Sequence, residues 1–245
     1  MSRDDAKHRP SQLALDWAHD PSHAEADFIV GDGNRLAHAH VLAFPSWPGP
    51  LTLLEGPASA GKSHLARIWV EHAGAEVAGP ASAEQLATTG GTVPVLVEDV
   101  DRSGYDESAL FHLLNQSMRD RRPLLMTARE GVANWPFATD DLKSRARLAQ
   151  HFRVAVSDDI QLSQMFVKLF GDRQVVVDPR TIAYVVARME RSPEEAVALA
   201  DAMDRMALER GTAITRAIAA EVLARREDGR DDGQLRLHLE SEEDE

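Results

Sequence analysis

The stretch GPASAGKS, Gly56 to Ser63, fits the pattern G-x-x-x-x-G-K-[ST] at every position. LTLLE, Leu51 to Glu55, precedes it and reads as a buried strand, and KSHLARIWVEHA follows it as a helix. That order of strand, glycine loop and helix builds a phosphate cradle. The loop turns its backbone N–H groups inward, and the helix N-terminus adds partial positive charge. Gly56, Pro57, Ala58, Ser59, Ala60 and Gly61 supply the loop, with His64 just beyond it. Lys62 is placed to reach the β and γ phosphates, and Ser63 to set a hydroxyl on a magnesium ion.

Working outward, the 245 residues, 43% of them hydrophobic, suffice for one sizeable α/β domain plus a small helical one. The chain has no run of 18 apolar residues, and MSRDDAKHRPSQL has no apolar signal core, so a cytoplasmic protein without membrane contact is expected. Zero cysteines exclude disulfides and thiolate metal sites, and the ten histidines show no ligand spacing. Net charge is −13. Residues 227–245 carry nine acids against Arg230 and Arg236, so the tail holds −7 and the rest −6. An acidic chain without a basic stripe gains little from phosphate-backbone attraction. Direct sequence-specific DNA binding is therefore not expected.

Four segments are expected: a mobile N-terminal part (1–27), an α/β nucleotide-binding domain (28–156), a helical domain (157–226) and an acidic disordered tail (227–245). Within 1–27, QLALDW (Gln12 to Trp17) is an apolar island, and such an island either folds back or docks on a partner. NRLAHAHVLAF reads as a helix capped by Asn34, and SAEQLATT as one capped by Ser82. Further strands are AEVAG, VPVLVEDVD (Val93 to Asp101), PLLMTA and FRVAV, alternating with helical DESALFHLLNQSMRDRR and TDDLKSRARLAQ. That alternation predicts a parallel five-stranded sheet with helices on both faces. Beyond Asp158 four stretches keep helical spacing, with Pro179 and Pro193 in first turns.

A phosphate loop needs an acid at the end of a neighbouring buried strand, to hold the magnesium shell and polarise water. VLVEDVD offers Glu98 and Asp99 side by side: one for the metal or its water shell, the other toward the γ phosphate. Thr127, ending PLLMTA, offers a hydroxyl to the γ phosphate or to water. Arg145, in DLKSRARL, acquires a role only if it reaches the nucleotide of a neighbouring molecule.

These motifs, in this order, resemble the AAA+ ATPase module of the bacterial replication initiator DnaA, most closely the short Hda type that inactivates DnaA. The likeness runs over roughly residues 12 to 226. FIVGDGNRLAHAHVLAF is similar to the family's opening FVVG-x-x-N-x-x-A, which implies that Phe28 and Val30 line an adenine pocket. LKSR is similar to the segment carrying the family's arginine finger, which maps onto Arg145. QLALDW occupies the place of a motif that docks on the sliding clamp (β subunit of DNA polymerase III), implying partner contacts by Gln12, Leu13, Leu15 and Trp17. QLRLHL, Gln234 to Leu239, is a weaker candidate. The family's DNA-reading helix-turn-helix domain has no counterpart in residues 227–245, so DNA reading of that type is not expected.

The resemblance implies ATP or ADP with Mg2+ as cofactors, DnaA and the clamp as partners, a possible homodimer, and negative regulation of replication initiation. Two departures matter. Glu98 stands where the family has aspartate, and Glu194 stands at the lid arginine's place, with only Arg191 nearby to substitute. A carboxylate facing a γ phosphate is repulsive. The expectation is thus weak or no ATPase activity alone; the alternatives are a self-acting AAA+ ATPase or helicase loader, and a non-catalytic scaffold.

Overall fold

The computed structural model describes residues 25–156 and 158–226. Gln12, Leu13, Leu15, Trp17, the tail from 227 and Gln234 to Leu239 lie outside the described residues. The strands are β1 (Leu51–Glu55), β2 (Glu76–Ala78), β3 (Val95–Val97), β4 (Leu124–Ala128) and β5 (Gln150–Arg153). They form one parallel sheet in the order β2-β3-β4-β1-β5. Helices α1 (Arg35–Leu42), α2 (Lys62–Ala73), α3 (Ala83–Thr89), α4 (Glu107–Asp120) and α5 (Asp140–Ala146) flank it.

Successive strand residues point to opposite faces, so each strand feeds two cores. Leu51, Leu53, Val95, Val97, Leu124 and Met126 pack under α3, α4 and α5. Leu54, Leu96 and Leu125 pack under α1 and α2, around Trp69. Because β1 lies between β4 and the edge strand β5, the loop leaving its C-terminal end sits at the strand-end face where ligands bind in open α/β sheets.

Two strands differ from the expected bounds. β3 stops at Val97 because Asp99 adopts a left-handed φ of 48° and donates its N–H to Thr127 Oγ1 at 2.8 Å, ending the ladder early. β5 begins at Gln150, two residues before FRVAV, because it pairs in register with Thr52 to Glu55. Neither expected cap works as one. Asn34 Oδ1 accepts from Gly31 N and its Nδ2 donates to Ile29 O, both at 2.8 Å, so it ties the preceding loop instead. Ser82 Oγ likewise engages Gly79 rather than the start of α3.

Beyond the sheet lie α6 (Asp159–Asp172), α7 (Pro179–Val186), α8 (Pro193–Arg210) and a helix over 216–226, α9. They enclose a separate core that includes Phe166, Phe170, Val185, Leu199, Met203 and Val222. Asp158, Asp178 and Ser192 cap α6, α7 and α8 by side-chain hydrogen bonds. Buried Glu195 pairs with Arg226 through two contacts of 2.7 and 2.9 Å, joining the start of α8 to the end of α9.

His40 makes the α/β part sensitive to acid. Its ring stacks between Trp47 and Phe152 at 4.6 and 4.3 Å, with Nε2 2.9 Å from Thr52 Oγ1. Burial pushes the imidazole down to about 4. The unfolded chain therefore takes up this proton at a higher pH than the folded chain does. Stability is lost as pH falls from about 6.5 toward about 4. A urea series at pH 7 and pH 5 is expected to show a smaller drop in midpoint for His40→Gln than for the parent chain.

Candidate functional site

The loop after β1 is held by its own backbone and by Lys62. Gly56 has φ of 153°, and a Cβ there would strike the carbonyl oxygen of Val154. Gly61 has φ of 97° and lies against the Phe28 ring. Both positions require glycine. Lys62 opens α2 and is 6% exposed. Its Nζ donates to Gly56 O and Pro57 O, each at 2.7 Å. Burial lowers the ammonium below its usual value, and the positive charge of Arg129 adds to this, whereas Asp99, Asp101 and Glu194 oppose it. Exposed Ser63 follows. The loop N–H groups, the start of a twelve-residue helix and a buried lysine converge on one point, a donor set suited to phosphate oxygens.

An adjoining cleft is lined by Phe28, Ile29 and Asn34 from the first loop, by Ser59, Ala60, Gly61 and His64, and by Val156, Gln161, Met165 and Leu169 on the lid side. Phe28 stacks on His38 at 5.4 Å and meets His64 edge-on at 5.2 Å. An apolar slot with an aromatic wall, opening beside a phosphate cradle, suits a flat heterocyclic base. Val30 is not in this wall. It is 45% exposed, and Ile29 takes the lining position because the Asn34 bonds turn the chain there.

The two strand-end acids have different surroundings. Glu98 Oε2 accepts from Arg67 Nη2 at 2.9 Å, and Arg67 stands one turn beyond Ser63 on the same side of α2. Glu98 thus lies along the Ser63 flank, tied to an arginine. Asp99 is the acid whose charge acts most strongly on Lys62. Among the described residues no cluster of three or more histidine and acidic side chains is arranged to hold a metal. Magnesium would therefore share Ser63 and one strand-end acid with phosphate oxygens. Thr127 is fully buried and accepts the Asp99 N–H, so it fixes the strained acid directly.

The lid acid and the arginine expected to compensate for it are in separate places. Arg191 is exposed and pairs with Asp159 at 3.1 Å across the α7–α8 turn and the start of α6. It does not line the cleft. Glu194, in the first turn of α8, has a buried Oε2 without a hydrogen-bond partner, and its charge acts on Lys62. The lid therefore brings a carboxylate, rather than Arg191, under the influence of Lys62.

Arg145 is far from any partner of its own. It sits in the last turn of α5, exposed, and its guanidinium makes no hydrogen bond or ion pair among the described residues. Its neighbours Leu142 and Ala146 are fully buried, so the helix is anchored beneath it. Glu107 of α4 fastens the other end: its carboxylate accepts from Ala138 N at 3.0 Å, from Thr139 N at 2.7 Å and from the Thr139 hydroxyl. Those bonds hold the Glu107 carboxyl below its usual range.

Sequence reasoning did not single out Asp101, Glu107 or Arg129. Asp101 is 7% exposed, and its Oδ2 accepts from Arg129 N and Glu130 N at 3.0 and 2.9 Å. The only signal for it was that the apolar run VLVEDVD ends in three acids.

No known protein-family profile matches this chain, and no curated protein matches it in sequence. Solved structures do match in fold. Domain III of the Thermotoga maritima replication initiation protein DnaA is 15% identical with a TM-score of 0.68, covering 84% of this chain and 97% of that one. AMPPCP-bound DnaA from Aquifex aeolicus is 18% identical at 0.61, covering 88% and 71%. A Thermotoga maritima RuvB variant is 14% identical at 0.62, covering 83% and 72%. At such identities the likeness is one of fold: the α/β AAA+ fold that DnaA and RuvB share.

Proposed function

We propose that the chain is a nucleotide-held adaptor of the Hda kind. It binds ATP or ADP with magnesium at Gly56 to Ser63, and its base lies in the cleft walled by Phe28. It docks on the DNA-loaded sliding clamp through Gln12, Leu13, Leu15 and Trp17, and presents Arg145 to ATP held by DnaA. Hydrolysis in DnaA then switches off initiation. The boundaries near residues 28, 157 and 227 separate docking segment, nucleotide domain, lid and tail in this reading, and the cytoplasm is its place of action.

The observation that carries the proposal is Arg145: an exposed, unpaired guanidinium on a short helix whose two ends are fixed. A surface arginine with no partner among the described residues is suited to stabilise charge developing on another molecule's phosphate. The AMPPCP bound by Aquifex DnaA supports the nucleotide reading. Its own Glu194 opposes a γ phosphate, which favours a chain that holds nucleotide over one that turns it over.

The likeness to RuvB, a Holliday junction branch migration motor, favours a second reading, a self-acting AAA+ ATPase working in a ring. An ATP hydrolysis assay separates the two. The full chain, DnaA, clamp and DNA are combined and each is left out in turn. Hydrolysis that needs DnaA and rises only with the complete set is expected; robust turnover by this chain alone would move the conclusion to the motor.

A further inference from the structure

We propose that Arg129 is a phosphate-binding cation of the nucleotide site, supplying positive charge from the end of β4. This rests on the nucleotide reading of Gly56 to Ser63.

The geometry starts in the sheet. Glu55 and Ala128 are register partners at the C-terminal ends of β1 and β4, and Gly56 N–H donates to Ala128 O at 3.2 Å. The first residue of the phosphate loop is thus bonded to the residue immediately before Arg129. Gly56 O in turn accepts from Lys62 Nζ. One backbone hydrogen bond and one side-chain hydrogen bond therefore link the Arg129 segment to the loop lysine.

The backbone at Arg129 is held in place. Asp101 Oδ2 takes both the Arg129 and the Glu130 N–H, and the carboxylate is almost fully buried. Two N–H groups on one buried oxygen fix the direction in which the chain leaves the strand. The Arg129 side chain itself is exposed and makes no hydrogen bond or ion pair among the described residues. Glu98, by contrast, occupies Arg67, and Asp159 occupies Arg191.

Charge then gives this arginine a use. The positive charge of Arg129 acts on Lys62 closely enough to disfavour its ammonium. Two cations held near each other with spare hydrogen-bond donors are relieved by a polyanion lying between them, and a guanidinium binds phosphate oxygens in a fixed fork. The lid sets Glu194 near Lys62, and its Lys168 lines the adjoining cleft, paired with Asp172 at 3.5 Å. Arg129 supplies the second positive charge from the sheet side.

The test is calorimetric titration of the full chain with Mg-ATP and with Mg-ADP, for the parent, Arg129→Ala, Arg129→Lys and Lys62→Ala, with melting temperatures taken without nucleotide. Arg129→Ala is expected to weaken nucleotide binding by roughly ten- to a hundredfold, the range for one hydrogen bond to a charged group. Arg129→Lys should keep most of the affinity, and the nucleotide-free melting temperature should not move. If Arg129→Ala also lowers the melting temperature, the lysine variant decides: restored binding supports the role and unrestored binding overturns it. Parent-like binding by Arg129→Ala, alongside a large loss in Lys62→Ala, overturns the inference and leaves the nucleotide site standing. Parent-like binding by Lys62→Ala overturns the nucleotide reading itself, and the role of Arg129 with it.

Discussion

Replacing Arg145 by alanine is expected to remove a rate factor of roughly 10³ to 10⁵ from the ATP hydrolysis that this chain stimulates in DnaA, with nucleotide binding and clamp capture unchanged. The separation is expected because the Arg145 guanidinium makes no hydrogen bond or ion pair among the described residues. The buried residues of α5 are Leu142 and Ala146, and neither depends on the arginine between them in the turn. Truncation therefore leaves the fold intact and deletes only a charge directed outward. Arg145→Lys should rescue little, since an ammonium lacks the planar fork that spans two phosphate oxygens. Arg147→Ala is the control: it is exposed two residues on, at the C-cap of the same helix, and should retain stimulation. Full stimulation by Arg145→Ala would remove the trans-acting mechanism. The measurement is single-turnover hydrolysis of ATP prebound to DnaA, which excludes any nucleotide turned over elsewhere.

Trp69→Ala is expected to cost the most stability, about 3–5 kcal/mol, the usual range for deleting a fully buried aromatic ring. Trp69 is fully buried in α2, stacked on Trp47 at 5.2 Å and 9°, with Phe44 edge-on at 5.7 Å. A loss of that size is a large share of the 5–15 kcal/mol that holds a typical domain together. The substitution also loosens the helix whose first residue is Lys62, so the nucleotide site weakens with the core. Trp69→Phe should cost much less. It keeps a ring in the stack and removes the indole N–H, which is buried without a hydrogen-bond partner. Urea midpoints of the three chains give the order, and an alanine variant as stable as the parent would contradict it. Nucleotide at a hundred times its Kd should return about 2.7 kcal/mol to each chain that still binds it.

Much of the fold is local in origin, and for that reason the sequence showed it. A glycine loop between an apolar run and an amphipathic helix has few three-dimensional solutions, and Gly56 and Gly61 adopt backbone angles that few other residues tolerate. Alternating apolar runs and helical periods gave the parallel sheet, and Pro179 and Pro193 marked the first turns of α7 and α8 correctly. What failed were details set by neighbours in space. Asn34 has the chemistry of a cap, yet its amide satisfies Ile29 and Gly31, and this displaces Val30 from the cleft. The end of β3 depends on a threonine 28 residues away.

The candidate site divides in the same way. Spacing alone singled out Lys62, Ser63 and the acid pair as candidates, because each lies within a few residues of a glycine or a strand end, whereas Arg145 drew its role from the family resemblance. Charge pairing was invisible in the letters, since an arginine's partner depends on the fold. Arg191, a nearby cation in the sequence, pairs with Asp159, and Arg129, an unremarkable residue after a strand, lies beside the phosphate loop through the Gly56 to Ala128 hydrogen bond. The sequence by itself determined the strand, glycine loop and helix around Gly56 to Ser63, because backbone conformation and helix onset are short-range. Only the tertiary structure decided which charges surround it, because Coulomb interactions follow distance in space, and the sheet order places the end of β4 next to β1.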